Sequence, residues 1–352
     1  MGAGKRLKYA AALVTAALFA AILGALCLPG GEKPEAPSLP LAAEQRQLKD
    51  VSELTFNAAV LWQIPLSQGG PTATAMPADV ALVDGRIFVL DTNNNRILAL
   101  DSKGSLLQVL DAQTDSRLAL ELPMAVDAHD GKLYVANSGA GNVIVLDPKG
   151  AVDRVITPQV PPAARPLRPI GIAVAANGDV YLSDPDNHRV LRLGPEGRLV
   201  STLGSGKRDS GDYGFNTPGG LSLDAQGNLY VVDMLNYAVK KYSPSGEFLL
   251  SLGEAGDTEG TFSRPKAVAV DASGRVFVSD TLLVAVQAFG ADGTYAGFIG
   301  RQDAGDKRSG SLFLAPHGLK VVGDTLYVVD RFAGLFALRL GSSRPPGPEP
   351  SP

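Results

Sequence analysis

Cysteine and histidine are scarce in this 352-residue chain, and that scarcity excludes whole classes of chemistry. A single cysteine, Cys27, cannot form an intramolecular disulfide, a thiolate zinc cluster or a redox pair. With only three histidines, His129, His188 and His317, a zinc triad of imidazoles would have to use every one of them. Charge is low as well: Asp, Glu, Lys and Arg make up 19% while apolar residues reach 45%, which argues against a disordered chain and against a highly charged nucleic-acid binder. What the chain has in excess is turn chemistry. Its 40 glycines and 25 prolines exceed ordinary usage and argue against a helical bundle.

One long charge-free run stands out. From Tyr9 to Leu28 no residue is ionisable at neutral pH, and Lys5, Arg6 and Lys8 precede it. As a helix this run would cross the roughly 30 Å core of a bilayer, with the cations held on the cytoplasmic side. The run is longer than the apolar core of a cleaved signal peptide, so residues 1–28 are expected to form a short cytoplasmic stub and a retained transmembrane helix. Leu26 stands before Cys27 where a lipoprotein signal carries a small residue, which argues against lipidation. The expected localisation is the cell membrane, single-pass through residues 9–28, with the rest of the chain extracytoplasmic. Residues 29–56, with Pro29, Pro34, Pro37 and Pro40, predict an extended stalk, and residues 341–352 a disordered Pro-rich tail.

Between these ends a six-letter pattern recurs: RIFVLD, KLYVAN, DVYLSD, NLYVVD, RVFVSD and TLYVVD. Its closing residues, Asp91, Asn137, Asp184, Asp233, Asp280 and Asp330, are spaced by 46 to 50 residues. A strand-rich period in the forties predicts a propeller. Each copy has a proline 14 or 15 residues before its closing residue (Pro77, Pro123, Pro169, Pro218, Pro265, Pro316), then alternating apolar residues and a glycine turn. A third strand and a second glycine turn follow, so each unit reads as a four-stranded antiparallel blade. The sixth unit supplies only three strands. Residues 58–65, an orphan strand pattern containing Trp62, are expected to supply the fourth and close a ring over 57–340, with Trp62 as a packing residue.

The segment RPIGIAVAANGDVYLSDPDNHRVLRLGPEGRLVSTLG, Arg168 to Gly204, resembles an NHL repeat, and the likeness extends over all six units. Phe215, Phe262 and Phe313, each three residues before its proline, match the inter-repeat phenylalanine of that family, and Asn187, His188 and Arg189 carry the letters that name it. The resemblance implies an all-β, six-bladed propeller, here behind the transmembrane helix. The triplet is a turn signature, so His188 reads as a structural loop residue.

In such a propeller the loops before the first strand and after the second emerge on one face, around the mouth of the central channel. Met124, Lys266 and His317 follow prolines and are expected at that mouth. Lys207, Arg208, Tyr213, Arg264, Arg301 and Arg331 are rim candidates on the loops of blades four to six, with Lys307 and Arg308 nearby. The six closing residues are expected to satisfy turn amides rather than a ligand.

Two function classes follow. The first is a membrane-tethered, non-catalytic module whose rim binds a protein, peptide or glycan. The second is a metal-dependent lyase or a lactonase-like hydrolase, because six-bladed relatives include such enzymes, and the lyases carry metal-binding histidines after blade prolines as PHGL does at His317. The other five equivalent positions are not histidine, and His129 belongs to a turn on the opposite face, so the binding module is the expectation, with no catalytic residue, metal or cofactor. Without Lys5, Arg6 and Lys8 the net charge goes from −4 to −7, the wrong sign for nucleic acid.

Overall fold

The computed structural model describes residues 58–66, 74–300 and 311–341. The expected membrane span 1–28 and stalk 29–56 lie outside the described residues, as do the tail after Gly341 and Arg301, Lys307 and Arg308. Among the described residues no helix is long and apolar enough to cross a membrane.

The described chain is all-β: six four-stranded antiparallel sheets, each in simple sequential order except the last. Blade one consists of Pro77–Val83, Arg86–Asp91, Arg96–Leu100 and Leu106–Leu110. Blades two to five repeat it, their innermost strands beginning at Pro123, Gly171, Pro218 and Pro265. The sixth blade combines Pro316–Val322, Thr325–Asp330 and Gly334–Leu340 with Ala58–Ile64 as its outermost strand. Ala58 pairs with Leu340 and Ile64 with Leu335, so the sheet contains both ends of the ring and its edge is covered. Gly334 makes room for this closure. Its φ is +105°, and a Cβ there would come within 2.0 Å of the Ile64 carbonyl oxygen.

Strand alternation builds the core. In the second strand of blade one, Phe88 and Leu90 pack toward blade two, whereas Ile87 and Val89 pack toward blade six. Both faces of the strand are therefore buried, and the sequence reads as a continuous apolar run. The same arrangement gives an apolar cluster between every pair of neighbouring blades, including the last and the first. Trp62 joins the cluster between blades six and one, 6.1 Å from the ring of Tyr327, but is only half-buried because it lies on the outermost strand.

The loops entering blades four and five, and residues 311–315 before blade six, are tied down by the three inter-repeat phenylalanines. Phe215, Phe262 and Phe313 are fully buried, and each ring lies over a glycine that ends the preceding sheet, as Phe262 does on Gly253. Each such burial contributes about 2 to 3 kcal/mol.

Candidate functional site

The six closing residues are all fully buried. Five face a proline across the first hairpin, as Asp91 faces Pro77 and Asp330 faces Pro316. Their side chains gather backbone amides of the entering loop. Asp91 accepts from Ala75, Asn137 from Glu121, and Asp233 from Asn216, at 2.6–2.7 Å. In blade three Asn187 takes over this role, exchanging two hydrogen bonds with the backbone of Arg165 while bonding Asp184. These residues hold the face together. Burial raises the Asp184 and Asp233 carboxyls above the usual range. His188 is likewise structural: it adopts φ +49°, and its Nδ1 accepts the Thr217 amide at 3.1 Å.

Along the axis the innermost strands of all six blades line a channel with a cavity volume of about 270 Å³. Met124, Lys266 and His317 are on its wall, near the end where the prolines lie. His317 Nε2 is 2.7 Å from Arg331 Nη2 and its Nδ1 is 2.9 Å from the Ala78 carbonyl. A guanidinium only donates, so Nε2 accepts and the ring proton sits on Nδ1, donated to Ala78. Burial, then the charges of Arg331 and Lys266, hold His317 well below the ordinary imidazole range. Its carbonyl accepts Ser279 Oγ at 2.6 Å, which fixes the strand. Both ring nitrogens are thus engaged, leaving neither a free lone pair for a metal nor a free base.

Around this neutral ring the mouth is cationic. Burial, with Arg264 and Arg331 nearby, lowers Lys266 to about 8. Its Nζ meets the Met234 thioether at 3.5 Å, a weak acceptor. Arg331 Nε is buried with no hydrogen-bond partner among the described residues. The mouth therefore has an excess of donors over acceptors.

Deeper in the channel is a cluster that sequence reasoning missed. Lys320 of blade six pairs with Asp127 of blade two, whose other oxygen accepts the Val174 amide of blade three at 2.9 Å. Asp79 of blade one accepts the Val126 amide of blade two at 3.0 Å. Innermost strands are sheet edges with unpaired amides, and these carboxylates satisfy them from the neighbouring blade. Burial pushes Asp79 up to about 7. The available signal was a charged residue inside an apolar innermost strand, as in PADVALV and PHGLKVV.

The rim candidates separate. Arg264 and Arg331 gather with Lys266 and His317, each contributing to the electrostatics of that pair. Tyr213 does not join them: its ring is 6.3 Å from Tyr242, and its hydroxyl oxygen accepts the Phe248 amide on the outermost strand of blade four. Three strand spacings, roughly 14 Å, separate that strand from the channel. Lys207 and Arg208 are exposed on the same loop. That loop is fastened by buried Lys240, which pairs with Asp233 at 3.0 Å and donates to the carbonyls of Gly211 and Gly214. Among the described residues no three His, Cys, Asp or Glu side chains converge as metal ligands.

The NHL repeat family matches residues 74–100 and 167–193, in blades one and three, so the chain carries NHL repeats on a six-bladed β-propeller. Solved structures agree on the fold. Virginiamycin B lyase from Staphylococcus aureus is 16% identical with a TM-score of 0.55, covering 81% of this chain and 100% of its own. A gluconolactonase from Xanthomonas campestris is 17% identical with a TM-score of 0.56, covering 81% and 98%. A protein of unknown function from Bacteroides thetaiotaomicron is 13% identical with a TM-score of 0.61, covering 81% and 75%. A sequence search of curated proteins finds no match.

Proposed function

We propose that this propeller is a non-catalytic binding module, tethered to the membrane by residues 9–28, whose proline-side mouth docks an extracytoplasmic partner. The observation that carries this reading is the state of His317. Its two nitrogens are committed to Ala78 and Arg331, and cations rather than carboxylates surround it. A mouth of this kind suits recognition of a ligand, because its one histidine has neither nitrogen left to hold a metal. The test is photo-crosslinking in native membranes from a photoreactive residue at Leu282, with Lys266→Met as control. A partner captured by the parent and lost in the control is expected.

A lyase or lactonase remains the second reading. It is favoured by His317 following Pro316 and by the fold shared with the lyase and gluconolactonase. A histidine-to-alanine variant of that lyase is catalytically inactive. Turnover of gluconolactone, or of quinupristin, that is abolished by His317→Ala would replace the binding reading.

A further inference from the structure

The mouth is lopsided. Two residues after the closing residue, on the face surrounding the channel, blades four, five and six carry Leu235, Leu282 and Phe332, which are 48%, 51% and 64% exposed. Leu314, before Pro316, is 59% exposed on the same side, and Leu122, before Pro123 of blade two, is 49% exposed apart from this group. The equivalent residues of blades one to three are Asn93, Gly139 and Asp186. Apolar exposure is therefore concentrated in an arc along blades four to six, the blades that also carry Lys266 and Arg331. Neighbouring sheets pack ~10 Å apart, so an arc of two blade steps measures roughly 20 Å, the length of about six residues of extended chain.

We propose that the occupant is the C-terminus of a polypeptide with apolar last residues, its terminal carboxylate held at Lys266 Nζ in the positive field of Arg331 and its side chains laid along Leu282, Phe332 and Leu235. This rests on the binding-module reading and specifies its ligand. The charge argument is direct: Lys266 has a thioether as its hydrogen-bond partner and the charges of Arg264 and Arg331 beside it, so a carboxylate would supply both an acceptor and the balancing charge. The arc excludes the simpler anions. A phosphate or sulfate would use the cations and leave the leucines in water, and a neutral glycan would use neither. The arc is also longer than a small organic acid needs.

The test uses the full-length protein and a pool of heptapeptides with a Gly-Ser leader and the last three positions randomised over Ala, Val, Leu, Ile and Phe. The pool is made twice, as free acids and as C-terminal amides. Mass spectrometry of retained peptides is expected to favour free acids by ~10-fold, the loss typical of a charge-assisted bond. Calorimetry on the best acid should show affinity falling ~10-fold in Lys266→Met, and less in Phe332→Asp, with melting temperatures held. Equal retention of acids and amides, no retention of either, or displacement by equimolar octanoate or phosphate would overturn the proposal. If in addition the Leu282 crosslink still captures a partner, the binding module stands without this ligand. If the crosslink is lost too, both fall.

Discussion

The buried carboxylates that end the second strands are neutralised in two different ways. In blades one, three and four each meets a side-chain cation: Arg96 at 2.7 Å from Asp91, Arg189 at 2.9 Å from Asp184, Lys240 at 3.0 Å from Asp233. In blades five and six the backbone supplies the partners. Asp280 accepts the amides of Ser263, Arg264, Leu282 and Leu283, and Asp330 those of Leu314, Ala315, Phe332 and Ala333. Ala285 and Gly334 face these carboxylates across the ladder where blades one and three have Arg96 and Arg189. The difference teaches how a repeat acquires a site. Once four amides satisfy the carboxylate, the cations of blades five and six serve the channel mouth instead.

The largest effect should come from removing a carboxylate of the second kind. Asp280→Ala strands four amides, and with partial access to water the cost should be about 4 kcal/mol in urea unfolding. A loss below about 1 kcal/mol would show that the loop rearranges at little cost and that the two kinds of blade do not differ as described.

Breaking the other kind should cost slightly less and depend on pH. Arg189→Met leaves Asp184 buried beside Asn187 without its cation, a loss of about 3 kcal/mol at neutral pH. The Asp184 carboxyl is already raised, so the variant's penalty falls on the ionised form and should shrink as pH drops and the group protonates. A penalty independent of pH would mean that the arginine acts through packing alone.

Mid-channel, Asp79 sharpens the contrast because it has the amides of Val126 and Val80 and a cation shared with Asp127. Its folded pKa is about 7 against 3.8 when exposed, so between these values the folded state holds a proton that the unfolded state has released. Stability therefore falls as pH rises from about 4 to about 7, by a few kcal/mol, and levels off above. Asp79→Asn keeps an oxygen for the Val126 amide and cannot ionise. It should remove this slope and unfold at higher urea than the parent at pH 8; an unchanged slope would assign the pH dependence elsewhere.

The smallest effect is at the closing strand. Trp62 is half-buried, so Trp62→Ala should cost about 1 to 2 kcal/mol rather than the 3 to 5 of a fully buried aromatic. A larger loss in a melting experiment would mean that closure depends on this ring more than on the paired backbone.

Much of this was legible in advance because it is local. The strand repeat, the proline before each blade and the glycine turns fixed the blade count and which residues share a face. Met124, Lys266 and His317 line the channel, where their position after a proline predicts them. Tyr213 was less well placed: a long loop can fold either inward or outward, and buried Lys240 and Tyr242 draw this one out over blade four. Asp79 and Asp127 went unnoticed because an acid in a strand usually signals a solvent face, whereas here it faces a narrow channel.

The sequence by itself determined the propeller, since strand alternation and turn chemistry act between residues near one another in the chain. Only the tertiary structure decided which side chains meet across the axis. Ala78 and His317, 239 positions apart, touch because the ring closes blade six on blade one, and Lys320 reaches Asp127, 193 positions away, because the channel is narrow. Those meetings depend on each blade's angular place and on the channel radius, which are set by the packing of all six sheets together and not by any single repeat.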